Sequence, residues 1–424
     1  MVKLISEQLD KLVRQDKGRI MATLMGQFGD LARCEEAFQD AQALALRAWY
    51  KGIPDNARAW ILKTARHRAI DTIRREHCFQ GVVSDLSAQI DFDASVDNIA
   101  DIEEIELPDE RLKLMLICCH PALEEKTCVV MSLRFIAGLT TTEIARGFLD
   151  KPATIGQRLS RAKNKIRLSG IRYGLPTHDQ LAGRITVVLK VIYLIFNEGY
   201  VCQKGDEQLR FDLCEEALYL AGLVSQLQPN HAEAQGLLAL MQLCHARSAA
   251  RQTGDGMFIP LEHQIRELWD RKVITEASRR LELALTLGEM GPYQLQAAIA
   301  AIHCQAPNYA STDWPQIVMM YRLLFKCQAN DVVLLNLSVA ESYIYGMEYA
   351  LQKIEPLAES LSAYQPFHAT RADFLSKLNR FDEAIKAYEH ALALTSVVSE
   401  RRYLQKQKKG VQERRPKQSY FTGE

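Results

Sequence analysis

The sequence lacks the features that would place it in several large protein classes. It has ten cysteines but no C-x-x-C pair, so neither a disulfide framework nor a paired-thiolate metal site is suggested. That usage suits reduced, partly buried thiols in the cytoplasm. No long hydrophobic run is present. The longest, ITVVLKVIYLIF, is broken by Lys190 and falls well short of the ~20 residues of a membrane span. It reads as a buried helix. The opening stretch MVKLISEQLDKLVRQDK interrupts its apolar residues with charges, so it reads as no export signal. Net charge is also missing, with 52 Lys+Arg against 52 Asp+Glu. Partners must therefore be sought in local charge. Alternating strand patterns are scarce, and apolar residues recur at steps of three and four. The expectation is an all-α protein, and 424 residues imply more than one domain.

Three helical blocks separate by composition. The first runs to about residue 80. In EEAFQDAQALALRAW the stripe Cys34, Ala37, Phe38, Ala41, Ala45 and Ala48 predicts one buried face, with Glu35, Glu36 and Asp40 off it. After the loop KGIPDN comes ARAWILKTARHRAIDTIRRE. Its apolar side holds Leu62, Ala65, Ala69 and Ile73, and its other faces carry Arg58, Lys63, Arg66, Arg68, Arg74 and Arg75. Residues 81–110 hold ten acidic residues and no basic one, the composition of a solvated linker.

The second block, 111–176, contains TIGQRLSRAKNKIR, with five positive side chains and no negative one. On a helix, Ile155, Leu159, Ala162 and Ile166 share one face. Thr154, Gln157, Arg158, Arg161 and Lys165 share the other. Upstream, GLTTTEIARGFLDKP predicts a short helix capped by Thr141 or Thr142 and ending near 147–149, then a turn at Pro152. The pair reads as a helix-turn-helix. A polar, basic helix face without carboxylates fits the major groove, where Arg reads guanine and Gln reads adenine. Lys163, Lys165 and Arg167 suit phosphates, which position without specifying. The bland alternative is a solvated basic face.

The third block, 177–398, is Ala/Leu-rich and shows a 34-residue spacing. It relates Ser338 to Ala372, Ala350 to Ala384, Ile354 to Tyr388 and Leu357 to Ala391. This period matches the tetratricopeptide repeat, a stack of helical hairpins. A helical domain with chance spacing is the alternative. Cys118, Cys119 and His120 are adjacent and cannot easily converge on one tetrahedral ion, so no metal is expected. Asn197, Glu198, Gly199 and Tyr200 read as a structural turn after a buried helix. No nucleophile–base pair or phosphate loop accompanies them, and the chain reads as no enzyme and as needing no cofactor. Residues 399–424, rich in Lys and Arg, read as a disordered solvated tail.

Two basic helical modules around an acidic linker resemble the bacterial RNA polymerase sigma factors of the extracytoplasmic-function group. The residues that carry the resemblance are EEAFQDAQALALRAW with NARAWILKTARHRAID, then LRFIAGLTTTEIARGFLDKPATIGQRLSRAKNKIR. LMLICCHPAL, YLIFNEGY, GPYQLQAAIAAIH and TDWPQI resemble the subgroup with a C-terminal tetratricopeptide-like extension. The resemblance implies residue roles. Glu35, Glu36, Gln39 and Asp40 would dock on core RNA polymerase. Trp60, Lys63, Arg66, Arg68 and Arg74 would handle the −10 element of promoter DNA, with Trp60 open to a core role as well. Thr154, Gln157, Arg158, Arg161 and Lys165 would read the −35 element. His67 stands where such sequences commonly carry Asn. The C-terminal helices would regulate, through a protein partner or through contacts with the DNA-reading modules. A helix-turn-helix regulator with a repeat-based sensor is the competing expectation.

Overall fold

The computed structural model describes residues 2–79, 108–148, 150–169, 178–200, 211–254, 257–288, 290–395 and 397–416. Among these the protein is helical with no strand. One isolated antiparallel bridge joins Gln252 to Phe258. The all-α expectation holds. The chain forms two compact units, Met1–Ile195 and Phe196–Glu424. Residues 81–107 of the acidic run lie outside the described residues.

The first unit contains α1 (Val2–Phe28), α2 (Leu31–Ala48), α3 (Ala57–Phe79), α4 (Pro108–Cys118), α5 (Glu125–Phe135), α6 (Thr141–Gly147) and α7 (Pro152–Leu168). Helix α8 (His178–Tyr200) crosses the division between the units. Local chemistry sets the boundaries. The Asp30 carboxylate accepts from Ala32 N and Arg33 N at 2.9 and 3.1 Å and so caps α2. Asn56 Oδ1 accepts from Ala59 N at 2.9 Å and starts α3. Thr140, rather than Thr141 or Thr142, caps α6. Its Oγ1 accepts from Glu143 N at 3.2 Å, while Glu143 Oε2 accepts from Thr140 N at 2.8 Å. This reciprocal capping box places the cap one residue before the earlier of the two expected ones.

Helix α1 packs against α2, α3, α4 and α5, so the two basic modules share one compact unit. Gly18 marks the closest approach. A Cβ there would stand 2.6 Å from the backbone oxygen of Ile136, just beyond α5. Only a residue without a side chain lets α1 lie so close to that turn.

The second unit contains α9 (Phe211–Leu227), α10 (Ala232–His245), α11 (Arg271–Leu285), α12 (Pro292–Gln305), α13 (Trp314–Cys327), α14 (Asp331–Tyr345), α15 (Met347–Ile354), α16 (Gln365–Lys377), α17 (Phe381–Leu394) and α18 (Val398–Arg414). Successive helices pair, α14 with α15 and α16 with α17. The 34-residue spacing maps onto these hairpins. Ser338 and Ala372 are buried at matching places in α14 and α16. Ala350 and Ala384 are buried in α15 and α17, as are Ile354 and Tyr388. Leu357 and Ala391 close the series.

The expected disordered tail is instead largely helix α18. Leu404 and Val411, one seam seven residues apart, are buried in the same core as Tyr388 and Ala391. Lys408 pairs with Glu389 at 2.7 Å, and Arg414 Nη2 donates to Ser376 Oγ at 2.6 Å. The count of basic residues hid a regular apolar seam.

Helix α10 lies on α12 through Gly236, where a Cβ would stand 2.6 Å from Gln294 Cγ and 2.9 Å from Gln294 N. Gln294 cannot yield. Its Nε2 donates to Ala284 O at 3.1 Å and its Oε1 accepts from Gly291 N at 2.9 Å. Overpacking there costs about 1–3 kcal/mol, against a helix-propensity gain of up to ~1 kcal/mol. Gly236→Ala is therefore expected to lower the melting temperature of the C-terminal unit, measured by calorimetry on the full chain.

Candidate nucleic-acid interface

Helix α7 starts with Pro152 at its first turn, where the missing N–H costs nothing. Ile155, Leu159, Ala162 and Ile166 are its buried residues, which is the face the spacing predicts. Thr154, Gln157, Arg161 and Lys165 are exposed on the other side. Arg158 differs from its neighbours. It is half-buried, and its Nη1 is shut away from solvent without a hydrogen-bond partner. No carboxylate lies on α7. The exposed face therefore offers one amide, one hydroxyl and two full cations to an anionic groove. Around Gly156 a Cβ would meet nothing within 4 Å, so neighbouring side chains do not require a glycine there.

On α3, Lys63 and Arg74 are exposed, while Arg66 and Arg68 are half-buried. Trp60 is half-buried too, edge-on to the core ring of Trp49 with centroids 5.6 Å apart. The Trp60 side chain is thus partly packed and partly accessible. The inward face of α3 differs slightly from the predicted stripe. Ile61, Ala65, Ala69 and Ile70 are buried, whereas Leu62 and Ile73 are half-buried.

The acidic face of α2 divides. Glu36, Gln39 and Asp40 are exposed. Glu35 is only 6% exposed, and it is not on the open surface that the sequence pattern implied. Its Oε2 accepts from Lys163 Nζ of α7 at 2.7 Å. Its Oε1 accepts from Arg134 of α5, with Nε and Nη2 each at 3.1 Å. Burial tends to raise its pKa, but the hydrogen bond and charge of Lys163 and the charge of Arg134 prevail, and the net shift is downward. Beside this group lies Lys17, 2% exposed, with its ammonium 5.6 Å from the Phe135 ring. Burial first, and then the positive charge of Arg134, push the Lys17 pKa down to about 7 against the pull of Glu35. Arg134 and Lys163 thus pair with one buried carboxylate, and Lys17 lies close enough to feel all three charges. Sequence reading missed this cluster. The available signal was that Glu35 directly follows Cys34 on the buried stripe and stands three residues before Phe38.

The comparisons with known proteins bear on the whole arrangement. Over 401 residues, 94% of the chain, the sequence is 37% identical to "Uncharacterized protein R00370" of Rhizobium meliloti, covering 95% of that protein. The chain belongs to the R00370 family. Over 143 residues, 34% of the chain, it is 30% identical to "Probable ECF RNA polymerase sigma factor SigI" of Mycobacterium tuberculosis. That match spans 49% of SigI, about half of its length. Residues 184–285 match a family of unknown function, DUF6596. One part of this R00370-family chain is therefore sigma-factor-like.

The remaining clusters serve structure. Cys118, Cys119 and Cys128 are buried, and burial raises each thiol's pKa. Such thiols remain protonated and unreactive. His120 Nδ1 accepts from Ala122 N at 3.1 Å and fixes the turn after α4. Among the described residues no group of three or more His, Cys, Asp or Glu side chains is placed to hold a metal. Asn197 to Tyr200 form the last turn of α8, not a separate turn after it. Arg251 covers the Tyr200 ring at 3.6 Å, and the Tyr200 hydroxyl donates to Cys244 O at 3.3 Å. Among the described residues no helix is long and apolar enough to cross a membrane.

Proposed function

We propose that this protein is a sigma factor of the extracytoplasmic-function type, which binds core RNA polymerase and directs promoter recognition and opening. The observation that carries the reading is α7: one face buried on its own module and the other basic, exposed and preceded by a short capped helix and a turn. The partial similarity to SigI supports it. In this reading Arg161 and Gln157 contact base edges, with Thr154 beside them. Lys165 and Arg167 hold phosphates. Lys63 and Arg74 of α3 track the released −10 strand, and Trp60 presents its accessible part to an unstacked base. Glu36, Gln39 and Asp40 face a basic surface of polymerase. The protein is no enzyme, because polymerase supplies the phosphodiester chemistry, and it works in the cytoplasm. The paired helices of the second unit act as a tetratricopeptide-like regulatory domain.

Reconstituted transcription tests this reading. The chain added to core polymerase starts RNA synthesis at its own promoter without another sigma factor. A conventional helix-turn-helix regulator would bind duplex promoter tightly on its own and start nothing. Arg161→Ala is expected to cost about 1–3 kcal/mol, confined to one base pair of the −35 element. A loss spread evenly over all sequences would make Arg161 a phosphate contact.

A further inference from the structure

We propose that Arg247, Arg266 and Arg271, gathered around Trp269 in the second unit, form a binding site for an oxyanion of the phosphate class, free or as the phosphate group of a small metabolite. The site stands whether or not the chain works with polymerase.

Three segments of the chain meet there. Arg247 follows the end of α10, Arg266 and Trp269 lie in the segment before α11, and Arg271 is the first residue of α11. Asp270 N donates to Ala246 O at 2.9 Å, which holds that segment against the end of α10. The guanidinium carbons of Arg266, Arg271 and Arg247 stand 4.5, 5.8 and 5.9 Å from the centre of the Trp269 ring. Arg266 feels the charge of both other arginines, and like charges repel. Among the described residues no carboxylate pairs with any of the three. The neighbouring Asp270 is engaged in capping α11, where its Oδ1 accepts from Val273 N at 3.0 Å.

What these side chains lack is acceptors. Arg266 Nη1 donates to His303 O and Ala306 O at 2.5 and 2.6 Å, and Arg271 Nη1 to Cys304 O at 3.2 Å. The carbonyl end of α12 thus meets part of the need. Arg247 Nη2 reaches only the weak acceptor Cys244 Sγ, at 3.8 Å. Arg266 Nη2, Arg247 Nε and Trp269 Nε1 are shut away from solvent without a partner. Arg266 is 6% exposed and Trp269 3%, so these N–H groups cannot turn outward to water. Arginine and tryptophan carry donors and no acceptor, so they cannot pair with one another. His303 adds no charge, because burial, with Arg247 and Arg266 beside it, pushes its pKa down to about 4.

An oxyanion meets both needs. Its oxygens accept from the orphaned N–H groups, and its charge offsets the repulsion among guanidiniums whose planar forks match phosphate. A water molecule would accept a bond and leave the repulsion in place. Arg271 is exposed and Arg247 half-buried, so solvent reaches the cluster at these two. The anion then ties the end of α10 to the start of α11 and the end of α12.

Nuclear magnetic resonance of the full chain tests the site. The chain has four tryptophans and so four indole N–H signals, and Trp269→Phe identifies the one that matters. Inorganic phosphate is expected to shift the Trp269 signal saturably at millimolar concentration, while potassium chloride of equal ionic strength does not. Arg247→Gln and Arg271→Gln should each weaken binding about tenfold, the loss of a charge-assisted hydrogen bond. Arg271 is exposed, so Arg271→Gln keeps the fold and decides the matter even if Arg247→Gln does not fold. Glycerol 3-phosphate separates the two sources: tighter binding than inorganic phosphate assigns the site to a phosphorylated metabolite, and equal or weaker binding assigns it to free phosphate. A Trp269 signal unmoved by tens of millimolar of either phosphate, a shift that chloride reproduces, or phosphate binding undiminished in Arg271→Gln would overturn the proposal.

Discussion

Replacing Glu35 with alanine is expected to destabilise the N-terminal unit by about 3–5 kcal/mol, the cost of stranding buried charge. Among the described residues, Glu35 is the anion that Arg134 and Lys163 pair with and that offsets the burial of Lys17. Without it, Arg134 keeps only its bond to Leu139 O, and Lys163 loses its 2.7 Å partner. Glu35→Gln should cost less, because an amide oxygen still accepts from one cation. Thermal unfolding of the full chain followed by calorimetry checks this. The transition belonging to the first unit should move down while that of the second stays in place. A Glu35→Ala protein with wild-type transitions would show that the ion pairs contribute nothing there.

Lys17→Met is expected to have the opposite sign and a pH dependence. In the folded chain burial and neighbouring positive charge hold the Lys17 pKa at about 7, against 10.5 in the unfolded chain. Between those values the unfolded state binds the extra proton, so wild-type stability rises with pH by up to about 1.4 kcal/mol per unit. Above 10.5 both states are neutral and the penalty is gone. Below about 7 both are protonated and the penalty is present in full. Methionine fills much the same space and never ionises. The variant should thus be the more stable protein at pH 7, with a gap that closes as pH rises toward 10. Denaturant midpoints at pH 7, 8 and 9 measure it. A gap that stays constant would mean that Lys17 does not titrate in this range.

Legibility in the sequence followed the range of the interaction. The buried face of α7 could be read because it depends only on steps of three and four along one helix. The 34-residue hairpins could be read because each repeats the same close packing at Ala350 and Ala384. Helix α18 was misjudged because seven described cations between Arg401 and Arg415 obscured a seam of just two apolar residues, Leu404 and Val411. Glu35 was misplaced for a different reason. Its partners Arg134 and Lys163 are 99 and 128 residues away, and no local pattern announces them. An acidic residue at the edge of an apolar stripe looks solvated until the tertiary fold supplies its cations. The same limit applies to Trp60, whose neighbour Trp49 lies just past the end of α2.

The most direct measurement is whether the purified full chain binds core RNA polymerase and starts transcription with it. The account predicts a complex at moderate salt, weakened when Glu36 and Asp40 are both changed to lysine, and RNA synthesis from a promoter that core polymerase alone ignores. Tight binding to duplex promoter by the chain alone, with no polymerase complex and no transcript, would contradict it.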